Sequence, residues 1–176
     1  MPYRLAIWDF DGTLVDTSAP ITATARATVL AAGFPEPDDA AVRRLVGLPL
    51  GTVLDTLAGG GCGPEAIARM VDDYRARWNA GAGRLPMRLF PGVRATVRRL
   101  HACGIGLAIA TSRGKPSLDT ILEMQELKGR FGLALTDGCV GNGKPHPEMV
   151  TRILAHYHAQ AGEALLIGDS VFDLRL

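Results

Sequence analysis

Two aspartates stand one residue apart near the start of the chain, in Asp9-Phe10-Asp11-Gly12-Thr13. In an extended backbone, residues two apart point the same way, so both carboxylates are expected on one side of the chain. Neighbouring carboxylates repel and are costly unless a cation or a shared proton compensates. A second acidic pair, Asp169 and Asp173, lies in Gly168-Asp169-Ser170-Val171-Phe172-Asp173, at the other end of the sequence. Brought together, Asp9, Asp11, Asp169 and Asp173 form a hard oxygen set suited to Mg²⁺. An Asp after a strand is also an ordinary turn former or helix cap. The case for a site rests on their number and on the groups that accompany them.

Those groups are Thr111-Ser112 and Lys144, the latter in Gly141-Asn142-Gly143-Lys144-Pro145. A hydroxyl, free backbone N–H groups and an ammonium are what phosphate oxygens require. Lys144 would also screen the carboxylates from an incoming anion. The other reading of Lys144 is a solvated loop lysine, yet lysine is scarce here, occurring only at 115, 128 and 144. Arg113 and Lys115 are candidates to extend a positive rim. Gly138 to Lys144 also spells the glycine-rich phosphate loop of nucleotide-binding proteins, but Pro145 follows. Proline has neither the hydroxyl for Mg²⁺ nor the N–H for phosphate, so that reading is rejected.

The elements that must carry these residues are short apolar runs at Leu5–Trp8, Leu107–Ala110, Phe131–Leu135 and Ala164–Ile167. Each is apolar on consecutive positions, as expected of strands covered on both faces. Helical patterns separate them. Val93, Val97 and Leu100 fall on one helix face that stops at Gly104, and a second helix runs from Pro147 to Tyr157. Alternating strands and helices predict an α/β fold with a doubly wound parallel sheet, and ligands of such sheets bind at the carboxyl ends of the strands. One stretch breaks the alternation. Residues 17–86 show helical patterns and no convincing strand, so a helical module is expected inside a core formed by 1–16 and 87–176. Asp38 is the expected cap of one of its helices. Its stripe of Ile67, Met70, Val71, Tyr74 and Trp78 reads as core packing.

Composition narrows the function classes. The 176 residues carry 19 basic and 18 acidic side chains, with no basic run, so no nucleic-acid partner is expected. No apolar stretch is long enough to span a membrane. The three cysteines, Cys62, Cys103 and Cys139, are an odd number and far apart, which argues against a disulfide scaffold and for a reducing compartment. The amino terminus lacks the pattern of a signal peptide, and the cytoplasm is the expected location.

Taken together and in this order, Asp9-Phe10-Asp11-Gly12-Thr13, Thr111, Lys144 before Pro145, and Gly168-Asp169-Ser170 with Asp173 resemble the motifs of the haloacid dehalogenase superfamily. The resemblance covers essentially the whole chain. It makes residues 17–86 a helical cap and 1–16 with 87–176 the catalytic core, similar to the subfamily containing phosphoglycolate phosphatase and β-phosphoglucomutase. It implies that Asp9 is a nucleophile forming an aspartyl-phosphate. Asp11 would be the general acid and base, and Thr111, the Ser112 backbone and Lys144 would hold the phosphoryl oxygens. Mg²⁺ would be held by the Asp9 carboxylate, the Asp11 backbone carbonyl and Asp169, with Asp173 orienting water or Lys144. The cap would close and read the leaving group. Asp11 points to phosphate esters, because dehalogenases of the superfamily lack an acid there. The expected substrate is a small phosphorylated metabolite.

Other readings stay open at this point. A phosphomutase uses the same core, and Arg43-Arg44 could hold a second phosphate, or could equally be a solvated helix face. A phospho-receiver module shares the Asp, Thr and Lys chemistry, but its acceptor follows the third strand. The sequence ends at Leu176, directly after the fourth motif, where the resemblance implies a further helix and strand. A non-catalytic relic, or self-association over an uncovered sheet edge, is the corresponding expectation.

Overall fold

The computed structural model describes residues 3–81 and 87–176. The first residues of the amino terminus and the end of the expected helical insertion, at 82–86, lie outside the described residues. The chain divides into two compact units, 1–16 with 88–176 and 17–87.

The first unit opens with β1 (Leu5–Trp8), apolar and buried at every position. A two-residue strand, β2 (Val15–Asp16), follows. The second unit is helical: α1 (Ser18–Ala31), α2 (Asp39–Leu45), α3 (Leu50–Leu57) and α4 (Pro64–Ala80). Asp38 caps α2 by accepting a hydrogen bond from the Ala41 N–H at 2.6 Å. Met70 packs with Val29 and Leu54, and Ile67, Val71 and Tyr74 lie against them, so the stripe on α4 is core. Tyr74 and Trp78 stack with ring centroids 6.2 Å apart. Arg43 pairs with Asp39 on the exposed side of α2, as a solvated helix face would.

The chain re-enters the first unit through β3 (Arg88–Leu89), which pairs antiparallel with β2. Then come α5 (Val93–Ala102), β4 (Gly106–Thr111), α6 (Lys115–Met124), β5 (Leu133–Thr136), α7 (Glu148–His156) and β6 (Ala164–Ile167). The helix α5 stops before Gly104, whose φ of +73° lies in the left-handed region. The main sheet is wholly parallel in the order β5-β4-β1-β6. Ile7 stands opposite Ala108 on one side and Leu166 on the other. Because β1 is central, its carboxyl end lies between those of β4 and β6. One face of the sheet, through Leu5, Ile7, Ala108, Ala110 and Leu135, packs on Met149 and Ile153 of α7.

Several elements differ from expectation. No individual expectation covers the helices α3 and α6 or the β2–β3 ribbon, whose two residues per strand leave no periodicity to detect. Strand β5 starts at Leu133, leaving Phe131 and Gly132 outside it. The fourth run was expected to be covered on both faces, but β6 pairs only with β1 among the described residues. Ala164 and Leu166 lie against the α7 side, whereas Leu165 on the opposite face is 45% exposed.

Candidate functional site

Asp9 directly follows β1, Thr111 ends β4, and Asp169 and Asp173 follow β6. Parallel pairing of adjacent strands therefore gathers residues from distant parts of the chain at one sheet edge. Lys144 arrives on the loop between β5 and α7. Its Nζ donates to Asp9 Oδ1 at 2.7 Å and to Asp173 Oδ1 at 2.6 Å. All three side chains are almost completely buried.

The turn after β6 is built around Asp173. Its Oδ2 accepts from the Ser170 N–H at 3.0 Å and the Ser170 hydroxyl at 2.6 Å, so both of its oxygens are engaged. A Cβ on Gly168 would lie 2.4 Å from the Asp173 carboxyl carbon, so only glycine lets that side chain fold back. Asp169 is held from the other end of the sequence by the Thr13 hydroxyl, which donates to its Oδ1 at 2.8 Å. One oxygen each of Asp9, Asp169 and Asp173 lie within 4.8 Å of one another. Asp169 is the exposed member of the three, which leaves the group open to solvent.

The carboxylates of this group differ in their electrostatics. Burial pushes the Asp9 carboxyl up to about 7, against the pull of Lys144. Burial also raises Asp169 above the usual carboxylate range. For Asp173, burial is outweighed by the Lys144 ammonium, which holds the carboxyl below its ordinary value. Desolvation opposes the Lys144 charge, but Asp9 and Asp173 outweigh it and keep the ammonium above its usual range. Three carboxylates around one ammonium are short of positive charge, and their oxygens are the hard donors that Mg²⁺ prefers.

Asp11 stands close enough to Asp9 for its charge to help raise the Asp9 carboxyl. A turn follows directly. Gly12 has φ +83°, and the Leu14 and Val15 N–H groups turn back to the Phe10 carbonyl. The Asp11 carboxylate lies outside the cluster of Asp9, Asp169 and Asp173 and faces Arg113 instead. Arg113 Nη2 donates to Asp11 Oδ1 at 2.5 Å, and Nε donates to Oδ1 and Oδ2 at 3.0 and 2.9 Å. Both side chains are largely buried. Arg113 thus turns inward to the site, while Lys115 pairs with Asp119 along the exposed side of α6.

Thr111 is buried, and its Oγ1 accepts from the Arg113 N–H at 3.1 Å. Ser112 hydrogen-bonds Asp137, the residue after β5, whose carboxyl burial pushes up to about 6. Neither Asp137 nor the inward role of Arg113 was read from sequence. The available signals were weak: an acid directly after a strand, and a cation two residues after Thr111.

Comparison with known proteins identifies the family. The family model described as haloacid dehalogenase-like hydrolase matches residues 6–176. The probable phosphatase IndB of Dickeya dadantii is 32% identical over 171 residues, covering 97% of this chain and 74% of the relative. A phosphoglycolate phosphatase of Vibrio parahaemolyticus is 27% identical over 180 residues, covering 97% and 77% of the two chains. Among solved structures, a haloacid dehalogenase-like hydrolase from Bacteroides fragilis superimposes with a TM-score of 0.92 at 24% identity, over 98% of this chain and 81% of that one. Motifs, sheet order and family match coincide, and the chain belongs to the haloacid dehalogenase-like hydrolase family.

Proposed function

We propose that the protein is a Mg²⁺-dependent phosphatase that hydrolyses a small phosphomonoester, of the phosphoglycolate kind, through an aspartyl-phosphate on Asp9. The observation that carries this reading is the buried contact of Lys144 with both Asp9 and Asp173, beside Thr111 at the same sheet edge. A carboxylate fixed by an ammonium, next to groups able to take phosphate oxygens, is an arrangement for attack on phosphorus. The phosphatase names of the relatives support it.

Asp9 and Asp169 would hold Mg²⁺. Asp173, which accepts from Lys144 and Ser170, serves to hold Lys144. Bound there, the ion supplies positive charge that keeps Asp9 ionised and offsets charge on the phosphoryl oxygens. An Asp9 carboxylate oxygen attacks phosphorus. The ester P–O bond breaks, its electron pair goes to the leaving oxygen, and Asp11 supplies that oxygen's proton. Water then attacks the phosphoryl group and gives its proton to Asp11. The bond between Asp9 and phosphorus breaks and phosphate departs. Thr111, the Ser112 backbone and Lys144 take the phosphoryl oxygens throughout. The free thiols Cys62, Cys103 and Cys139 support a reducing, cytoplasmic setting. No helix among the described residues is long and apolar enough to cross a membrane.

The test is phosphate release from p-nitrophenyl phosphate and phosphoglycolate with and without Mg²⁺. Release is expected from the wild type only with the ion, and Asp9→Asn is expected to abolish it while circular dichroism stays unchanged. Turnover near the wild-type level in Asp9→Asn removes the nucleophile from the reading.

A further inference from the structure

Asp11 can act on the leaving oxygen and on water only if its carboxylate is held within hydrogen-bond reach of both. An Asp side chain on a tight turn has two free torsions, and a misplacement of about 1 Å can cost on the order of a hundredfold in rate. Arg113 removes that freedom. Its Nε and Nη2 grip the Asp11 carboxylate through three short contacts, with both side chains largely buried.

The guanidinium is itself placed by two further contacts, and the backbone of Arg113 by a third. Its Nη1 donates to Ser117 Oγ, in the first turns of α6, at 2.7 Å. Its carbon lies 5.8 Å from the centroid of the Phe10 ring, within the range of a cation–π contact. The Arg113 N–H donates to Thr111 Oγ1 at 3.1 Å, so the loop that ends β4 is tied to the same residue. A planar fork is the side chain able to hold a carboxylate in one orientation; a lysine would give a single swivelling contact.

We propose that Arg113 is the positioning residue of the acid–base carboxylate, aligning Asp11 with the leaving oxygen and the hydrolytic water. This rests on the reading of Asp11 as general acid and base. Attack by Asp9 on phosphorus does not pass through Arg113. Loss of Arg113 therefore leaves phosphorylation of Asp9 by an ester with a good leaving group intact, and impairs steps that need proton transfer.

Two probes separate these steps, each supplied with Mg²⁺. p-Nitrophenyl phosphate has a leaving group that needs no proton, and glycerol 2-phosphate has one that does. Arg113→Gln is expected to lower kcat on glycerol 2-phosphate about a hundredfold, the usual order of a general acid–base contribution. With p-nitrophenyl phosphate it is expected to keep a rapid burst of p-nitrophenolate, of about the wild-type rate, followed by slow turnover as hydrolysis becomes limiting. Asp11→Asn is expected to behave alike, Arg113→Lys to recover part of the loss, and Ser117→Ala to show the same pattern more weakly. If Arg113→Gln does not fold, the Lys and Ala variants carry the comparison.

Equal losses on both probes, with the burst slowed in step, would assign Arg113 a merely structural role and overturn the proposal. Wild-type behaviour of the Arg113 and Ser117 variants, while Asp11→Asn fails on glycerol 2-phosphate, would overturn it too and leave the role of Asp11 standing. Full activity of Asp11→Asn on both probes would instead remove the acid–base reading, and the proposal with it.

Discussion

Lys144 Nζ lies 2.7 Å from Asp9 Oδ1 although the residues are 135 positions apart, and both side chains are shielded from solvent. With Asp173 as the ammonium's second acceptor, this contact ties the end of β1 to the loop after β5 and the turn after β6. Removing the ammonium leaves two carboxylates uncompensated in a place water does not reach, and such losses are strongly destabilising.

Lys144→Met is therefore expected to destabilise the metal-free protein at pH 8 by about 3–5 kcal/mol, the usual cost of breaking a buried ion pair. Two buried carboxylates would remain without their cation. Added Mg²⁺ or a lower pH should recover part of the loss. Urea denaturation with and without the ion measures it, and a difference below about 1 kcal/mol would mean that the pair contributes no more than an exposed one.

The raised proton affinity of Asp9 makes metal-free stability depend on pH. Its carboxyl titrates near 3.8 in the unfolded chain and at about 7 in the fold. Between those values the folded form binds the proton and the unfolded form does not. The Asp9 contribution is thus fully present below about 3.8 and lost as pH rises through 7. In EDTA, the Tm of the wild type should fall relative to that of Asp9→Asn as pH rises from 5 to 8. Mg²⁺ should flatten the difference by replacing the proton. Parallel Tm profiles for the two proteins would contradict the assignment.

Gly12→Ala tests how closely the first motif must approach the fourth. A Cβ at Gly12 would lie 2.2 Å from Asp169 Oδ2, and its φ of +83° adds backbone strain of about 1–2 kcal/mol for any other residue. Asp169 would have to leave its place beside Thr13. Mg²⁺ affinity by calorimetry should fall at least about tenfold, comparable to losing an orienting contact of a metal ligand. Unchanged affinity would show that Asp169 is dispensable for holding the ion.

Much of this was legible from residue types and spacing alone. Continuous apolar runs marked β1, β4 and β6 almost to the residue, and for β1 and β4 this is because a strand buried in a parallel sheet needs no polar positions. Asp38, the stripe from Ile67 to Trp78 and the stop at Gly104 announced helix ends and a core face through local chemistry. The candidate site was legible because polar residues directly follow those strands. Less visible were β2 and β3, which are too short to show a period, and the exposure of Leu165, which depends on what covers the sheet.

The amino-acid order by itself determined which side chains end each strand, and therefore which chemistry the sheet edge offers. Tertiary structure alone decided how those side chains pair. Asp9 goes to Lys144, while Asp11, two residues on, goes to Arg113. Partners separated by 102 and 135 positions leave no local trace, because their contact depends on strand order and burial.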